Sequence, residues 1–153
     1  MPDLRHLSTL PRVDYVDAFV IGGVAALDWT AERWAREILE GAPADRRAAL
    51  LAGWRALGLK SEGSAGSILG WEVRRRNPDA LLIGRESLIG MPGELLFTRR
   101  PEGLLFATFV HHHAAVTRPV WAAVQPMHVR TVGNLLQRAG RAASDVRESA
   151  EAD

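Results

Sequence analysis

The sequence predicts an α+β fold, a curved antiparallel sheet of six to seven strands wrapped around a long C-terminal helix, with two short helices after the first strand. Three observations carry that prediction. Apolar residues alternate at period two over the middle of the chain, two short amphipathic segments separate the first such stretch from the others, and residues from Met127 onward repeat at helical spacing. The chain has 153 residues, 47% hydrophobic and 24% charged, a balance that supplies one globular core and no second one.

Residues 1–11 lack periodicity and read as an arm. Over 14–21, Tyr15, Asp17 and Phe19 face one way and Val16, Ala18 and Val20 the other, a strand pattern closed by Gly22-Gly23. Asp28 or Thr30 can cap the next segment, in which Ala31, Trp34, Ala35, Ile38 and Leu39 recur at helical spacing until Gly41. Pro43 opens a second helix with Leu50, Leu51, Trp54 and Leu57 as its stripe and Gly58 as its stop. Residues 61–67 are small and polar and form a loop; they lack the Lys-Ser/Thr ending of a phosphate-binding loop. Strands are then expected at 68–76, 80–89, 94–100, 104–113 and 118–125, separated by Asn77-Pro78-Asp79, Met91-Pro92-Gly93, Pro101-Glu102-Gly103 and a corner at 114–117. Short turns make these neighbours antiparallel. A final helix spans 127–142, with Val129, Val132, Leu135, Leu136 and Ala139 on one face. Residues 1–143 form a single domain, and 144–153, polar and without periodicity, form a flexible tail.

A strand, two helices, a run of antiparallel strands and a long last helix follow one another in the order of the helix-grip architecture. Within it, the stretch from Leu10 to Phe19, the Trp34-Ala35-Arg36 helix, Arg85-Glu86-Ser87-Leu88 and Val124-Gln125-Pro126-Met127-His128 resemble a family of uncharacterised bacterial proteins grouped with the START/polyketide-cyclase (SRPBCC) superfamily. The resemblance covers most of the chain, its motifs are diffuse, and six strands are legible where the superfamily has seven. It implies a cavity for an apolar small molecule between sheet and helix. It implies no particular reaction, because the superfamily mixes carriers, sensors, cyclases and oxygenase domains.

Composition excludes several classes of chemistry. Cysteine is absent, so disulfides, thiolate nucleophiles and cysteine-ligated metals are excluded. The net charge of +1 gives no footprint for nucleic acid. No apolar run is long enough for a membrane span, and no secretory signal is legible, which makes a cytoplasmic protein the expectation. Lys60 is the sole lysine, and the other eighteen cationic residues are arginine, a pattern of GC-rich coding more than of ligand binding. No cofactor motif is present.

His111, His112 and His113 are the most conspicuous candidates. A three-residue loop at 101–103 would set Arg100 opposite Leu104 and place Leu95, Phe97, Leu105, Ala107 and Phe109 on one apolar face with His111 and His113. A His-x-His pair binds transition metals when a third ligand converges, but no glutamate follows at cupin spacing, so no metal site is expected. A two-residue turn at Pro92-Gly93 would pair Leu88 with Phe97 and Glu86 with Arg99, putting a carboxylate and a guanidinium on the same inner face. Along the strands Glu86 would then stand roughly 20 Å from His111. Arg74-Arg75-Arg76 alternates faces and reads as a solvated edge, His128 as a cap or core contact, and the five tryptophans as packing.

The expectation is therefore a binder of a small hydrophobic molecule, held by Glu86, Phe97, Arg99, Phe109, His111 and His113. The alternative is a small cyclase- or dehydratase-type enzyme using Glu86, His111 or His113 as acid/base. An interaction module with a solid core is the third class.

Overall fold

The alternating stretches assemble into one five-stranded antiparallel sheet. In this computed structural model residues 3–23, 28–61, 63 and 65–152 are described. The elements are β1 (Tyr15–Gly22), α1 (Ala31–Leu39), α2 (Ala44–Ala56), β2 (Glu72–Arg76), β3 (Ala80–Arg85), β4 (Gly93–Arg100), β5 (Gly103–Val110) and α3 (Thr117–Ala152). The strand order is β1-β5-β4-β3-β2, and the sheet is open. No helix among the described residues is long and apolar enough to cross a membrane.

Local chemistry explains the ends of the helices. Thr30 caps α1 by accepting the Arg33 N–H at 3.1 Å, and Glu32 sits in the first turn, where the helix dipole favours an anion. Pro43 stands at the N-cap of α2, whose last turn runs into Gly58 with φ +73°. The sheet divides the core in two. On one face Ile21, Leu81, Ile83, Leu95, Phe97, Leu104 and Phe106 pack against α1 and against Val132, Leu135, Leu136 and Ala139 of α3. On the other, Leu82, Leu96, Leu105, Ala107 and Phe109 are covered by the N-terminal arm through Leu4, Leu7, Leu10 and Val13. Each fully buried aliphatic or phenyl side chain contributes about 1.5–3 kcal/mol.

The structure departs from the expected six to seven strands in one place. Residues 118–125 open α3 instead of forming a strand. Pro119 falls in the first helical turn, where a missing N–H costs nothing, and the alanines that follow favour helix. α3 then carries Pro126 in its interior and continues to Ala152, so the segment expected as a flexible tail is helical. Ala143 is fully buried, and Arg147 donates to the Gly23 carbonyl at 2.7 Å, tying this last part to the end of β1.

Two registers also differ from expectation, and both matter for the site. Arg100 pairs with Gly103 across a two-residue Pro101-Glu102 turn, one residue away from the expected pairing. Gly103 is required there: its φ is +150°, and an added Cβ would lie 1.9 Å from the Ile21 carbonyl oxygen. The slip exchanges the faces of β5, so Leu105, Ala107 and Phe109 lie on the arm side and Leu104, Phe106 and Thr108 on the helix side. In β3, Leu81 and not Leu88 opposes Phe97, and the strand ends at Arg85 with residues 86–92 as a loop. Glu86 and Arg99 therefore lie toward opposite ends of the β3–β4 pair.

Candidate functional site

α2 contributes no fully buried side chain, because its apolar residues rest over the sheet without filling the space beneath. The result is a cavity of about 430 Å³ between the helix face of the sheet, α2 and α3. Its wall is largely apolar: Leu50 and Trp54 of α2, Leu57 just after it, Trp71 before β2, Leu95, Phe106 and Val110 of the sheet, and Trp121, Val124, Val132 and Leu135 of α3. Phe109 and Glu94 also contribute to the wall, and Arg46 stands exposed near the start of α2.

One end of the cavity is polar. Tyr15 and Asp17 occupy the helix face of β1, opposite Val110 and Thr108 of β5. The Tyr15 hydroxyl donates to Asp17 Oδ2 at 2.6 Å, and His128 Nε2 lies 3.0 Å from the same oxygen. A carboxylate oxygen accepts, so Nε2 carries a proton. Burial, reinforced by the Asp17 hydrogen bond and charge, pushes the Tyr15 phenol up and keeps it a neutral donor. Trp121 packs edge-on to Tyr15 with ring centroids 5.1 Å apart, and its ring centroid lies 5.0 Å from that of His128. Asp17 Oδ1, Thr108 Oγ1 and Trp121 Nε1 are buried without a hydrogen-bond partner.

A buried cation lies behind the tryptophans. The Arg85 guanidinium stacks on Trp54 and Trp71 at 4.8 and 5.3 Å and donates to the Leu69 carbonyl. Desolvation pushes it down to about 10, which leaves it charged at neutral pH. Leu69 adopts φ +46°, and a Cβ at Gly70 would fall 2.6 Å from the Arg85 guanidinium, so this turn is shaped around the arginine.

The histidine run lies past the end of β5, in the turn into α3, with His111 and His113 beside the arm. Asp14 organises it. Its Oδ2 accepts the His112 N–H at 2.7 Å and faces His111 Nδ1 at 3.1 Å, while Oδ1 meets Arg12 at 2.8 Å and Arg118 at 3.2 Å. Burial alone would raise the Asp14 carboxyl, but the His112 N–H, the His111 ring and Arg12 outweigh it and hold the group well below the usual carboxylate range. His112 is buried, and that burial pushes it below the ordinary imidazole value. The Thr117 hydroxyl donates to the Ala114 carbonyl, so His112 Nδ1 donates to Thr117 Oγ1 at 2.8 Å. No group of three His, Cys, Asp or Glu side chains among the described residues is placed to hold a metal ion.

The expected site residues therefore disperse. Phe97 is wholly buried and packs edge-on to Phe106 at 5.2 Å. Phe109 borders the cavity from the sheet. Arg99 pairs with Asp28 at 3.6 Å and Asp79 at 3.5 Å. Glu86, His111 and His113 line a different, polar depression with Arg74 and the arm residues Thr9 to Pro11. This brings together Glu86 and His111, which the strand spacing had set far apart. There Glu86 is bound by Arg74 at 3.0 Å and remains exposed. Glu94 is fully buried: it accepts from the Ser8 hydroxyl at 2.5 Å, the Thr9 N–H at 2.9 Å, the Thr9 hydroxyl and Arg74 at 2.9 Å, and so fastens the arm.

The polar end of the cavity is what sequence reasoning missed. Its signal is an aspartate on the same strand face as Tyr15 and Phe19. The segment carrying Trp121 reads as a strand in the sequence, which separates it from His128. Comparison with known proteins adds little. No family model matches the chain, and no curated protein matches it. Among solved structures it is similar to CalU16 from Micromonospora echinospora, at 11% identity over 86% of this chain and 82% of that one, with a TM-score of 0.40.

Proposed function

We propose that the protein binds a small hydrophobic molecule in the cavity beneath α2. The observation that carries this reading is the cavity itself, about 430 Å³ bounded mainly by aliphatic and indole side chains, with polar groups gathered at one end. Ligand pockets have this size and this composition. A chain of about ten methylenes gains about 8 kcal/mol on leaving water, and the loss of translational and rotational freedom, at least about 4 kcal/mol, leaves about 4 kcal/mol, a millimolar affinity before any polar or aromatic contact is counted. Native mass spectrometry of freshly purified protein tests the reading. A co-purifying apolar molecule released on denaturation is the expected result; a bare chain that also fails to take up an apolar dye rules it out.

One observation favours a second reading, a small cyclase- or dehydratase-type enzyme acting on an enolisable carbonyl compound. His128 borders the cavity and is oriented by a carboxylate, the arrangement a general base needs. In this reading His128, and not Glu86, His111 or His113, moves the proton. Exchange of α-hydrogens of a bound ketone in deuterated water, lost in His128→Phe, would distinguish an enzyme from a carrier.

A further inference from the structure

Three buried polar atoms without partners gather where β1, β5 and α3 meet. Thr108 Oγ1 and Trp121 Nε1 belong to residues that border the cavity and are 4% and 6% exposed. The third, Asp17 Oδ1, stands on the strand position opposite Thr108. An unpaired buried donor or acceptor costs roughly as much as a lost hydrogen bond, so three in one place mark a position that a polar group fills. Trp71 Nε1 and Nε of the Arg85 stacked on it are likewise unpaired, but both only donate.

The donor and acceptor pattern identifies that group. Trp121 Nε1 only donates, the Thr108 hydroxyl does either, and Asp17 Oδ1 only accepts. A hydroxyl satisfies this set, because it donates and accepts at one atom. An ether or ester oxygen cannot donate to Asp17 Oδ1. A carboxylate would sit beside the Asp17 carboxylate with no cation to offset it, since Arg85 is held behind the two indoles and Arg46 is near the other end of α2 from Leu57, roughly 16 Å along the helix. We propose that the cavity selects a hydroxyl-bearing hydrophobe, an alcohol or phenol, whose oxygen is read by Asp17, Trp121 and Thr108 while its apolar body lies under α2.

This inference rests on the cavity reading above, and the test separates the two. The fluorescent probe N-phenyl-1-naphthylamine is bound to the whole protein and displaced with decan-1-ol, its methyl ether or decanoate, on wild type and on Thr108→Val and Trp121→Phe. Circular dichroism melting checks that both variants fold. Decanol is expected to displace the probe at about ten-fold lower concentration than the ether or the carboxylate, and each variant to lose about five-fold of that advantage while still binding the probe. Equal displacement by all three compounds, or tightest displacement by decanoate, overturns the hydroxyl assignment and leaves the cavity reading standing. Failure of the probe to bind wild type overturns both.

Discussion

Removing the Asp14 carboxylate should destabilise the fold by about 3–5 kcal/mol at neutral pH. Asp14 joins the start of β1 to the turn between β5 and α3, and its side chain is only 8% exposed. The 2.7 Å bond from the His112 N–H is charge-assisted and buried, contributing about 1.5–3 kcal/mol, and Asp14→Ala leaves that N–H without a partner. The His111 ring adds about 1 kcal/mol. Arg12 and Arg118 are more than half exposed and add little. Asp14→Asn keeps one acceptor for the N–H and should lose less. Urea unfolding followed by tryptophan fluorescence measures the difference. The pH dependence has a definite sign: the folded carboxyl is held below its unfolded value of 3.8, so its contribution is complete above about pH 5 and is lost as the pH falls. The gap between wild type and Asp14→Ala should therefore be about 1 kcal/mol narrower at pH 3 than at pH 7. A gap under about 1 kcal/mol at pH 7, or one that stays constant down to pH 3, refutes the assignment of Asp14 as the organiser of this corner.

Three further predictions follow from named contacts. Glu94→Ala leaves Arg74 without its buried partner and frees Ser8 and Thr9, so it should cost about 3–5 kcal/mol and open the arm to limited proteolysis near residues 8–13; an arm as resistant as in wild type would contradict this. Gly103→Ala drives a Cβ into the Ile21 carbonyl and should cost more than about 3 kcal/mol or prevent folding, as read by thermal melting, whereas Gly63→Ala, where a Cβ meets nothing, should be nearly neutral. Added zinc should leave the melting temperature unchanged, because His111 Nδ1 is committed to Asp14 and no third ligand converges among the described residues; a rise of several degrees that disappears in His111→Ala would overturn that expectation.

Periodicity alone makes most elements legible in the sequence. Alternation over 14–21 located β1, and Thr30 marked the start of α1. Register was harder, because both a two-residue and a three-residue turn suit Pro101-Glu102-Gly103, and only the close approach of Gly103 to Ile21 selects the former. One residue of slip was enough to move Leu105 and Phe109 to the arm side and take the histidines out of the helix-side cavity. Leu88 and Ile89 continue the apolar run of β3 yet are exposed at 75% and 40%, so composition extended that strand into a loop. The polar end of the cavity depends on α3 starting at Thr117. With 118–125 read as a strand, Trp121 cannot meet Tyr15 and His128, and the cluster has no expression in local pattern.

The central claim is that the space beneath α2 accepts an apolar molecule, and Gly53 offers the most direct test. A Cβ at this position meets nothing within 4 Å, Gly53 borders the cavity, and glycine inside a helix is about 1 kcal/mol less favourable than alanine. Gly53→Phe should therefore fill the cavity without unfolding the protein. Energy transfer from Trp54, Trp71 and Trp121 to N-phenyl-1-naphthylamine reports occupancy from the cavity wall. The predicted result is saturable binding to wild type at micromolar concentration and at least ten-fold weaker binding to a Gly53→Phe variant that melts no lower than wild type. Equal binding by the two proteins, or no saturable binding to either, would contradict the account.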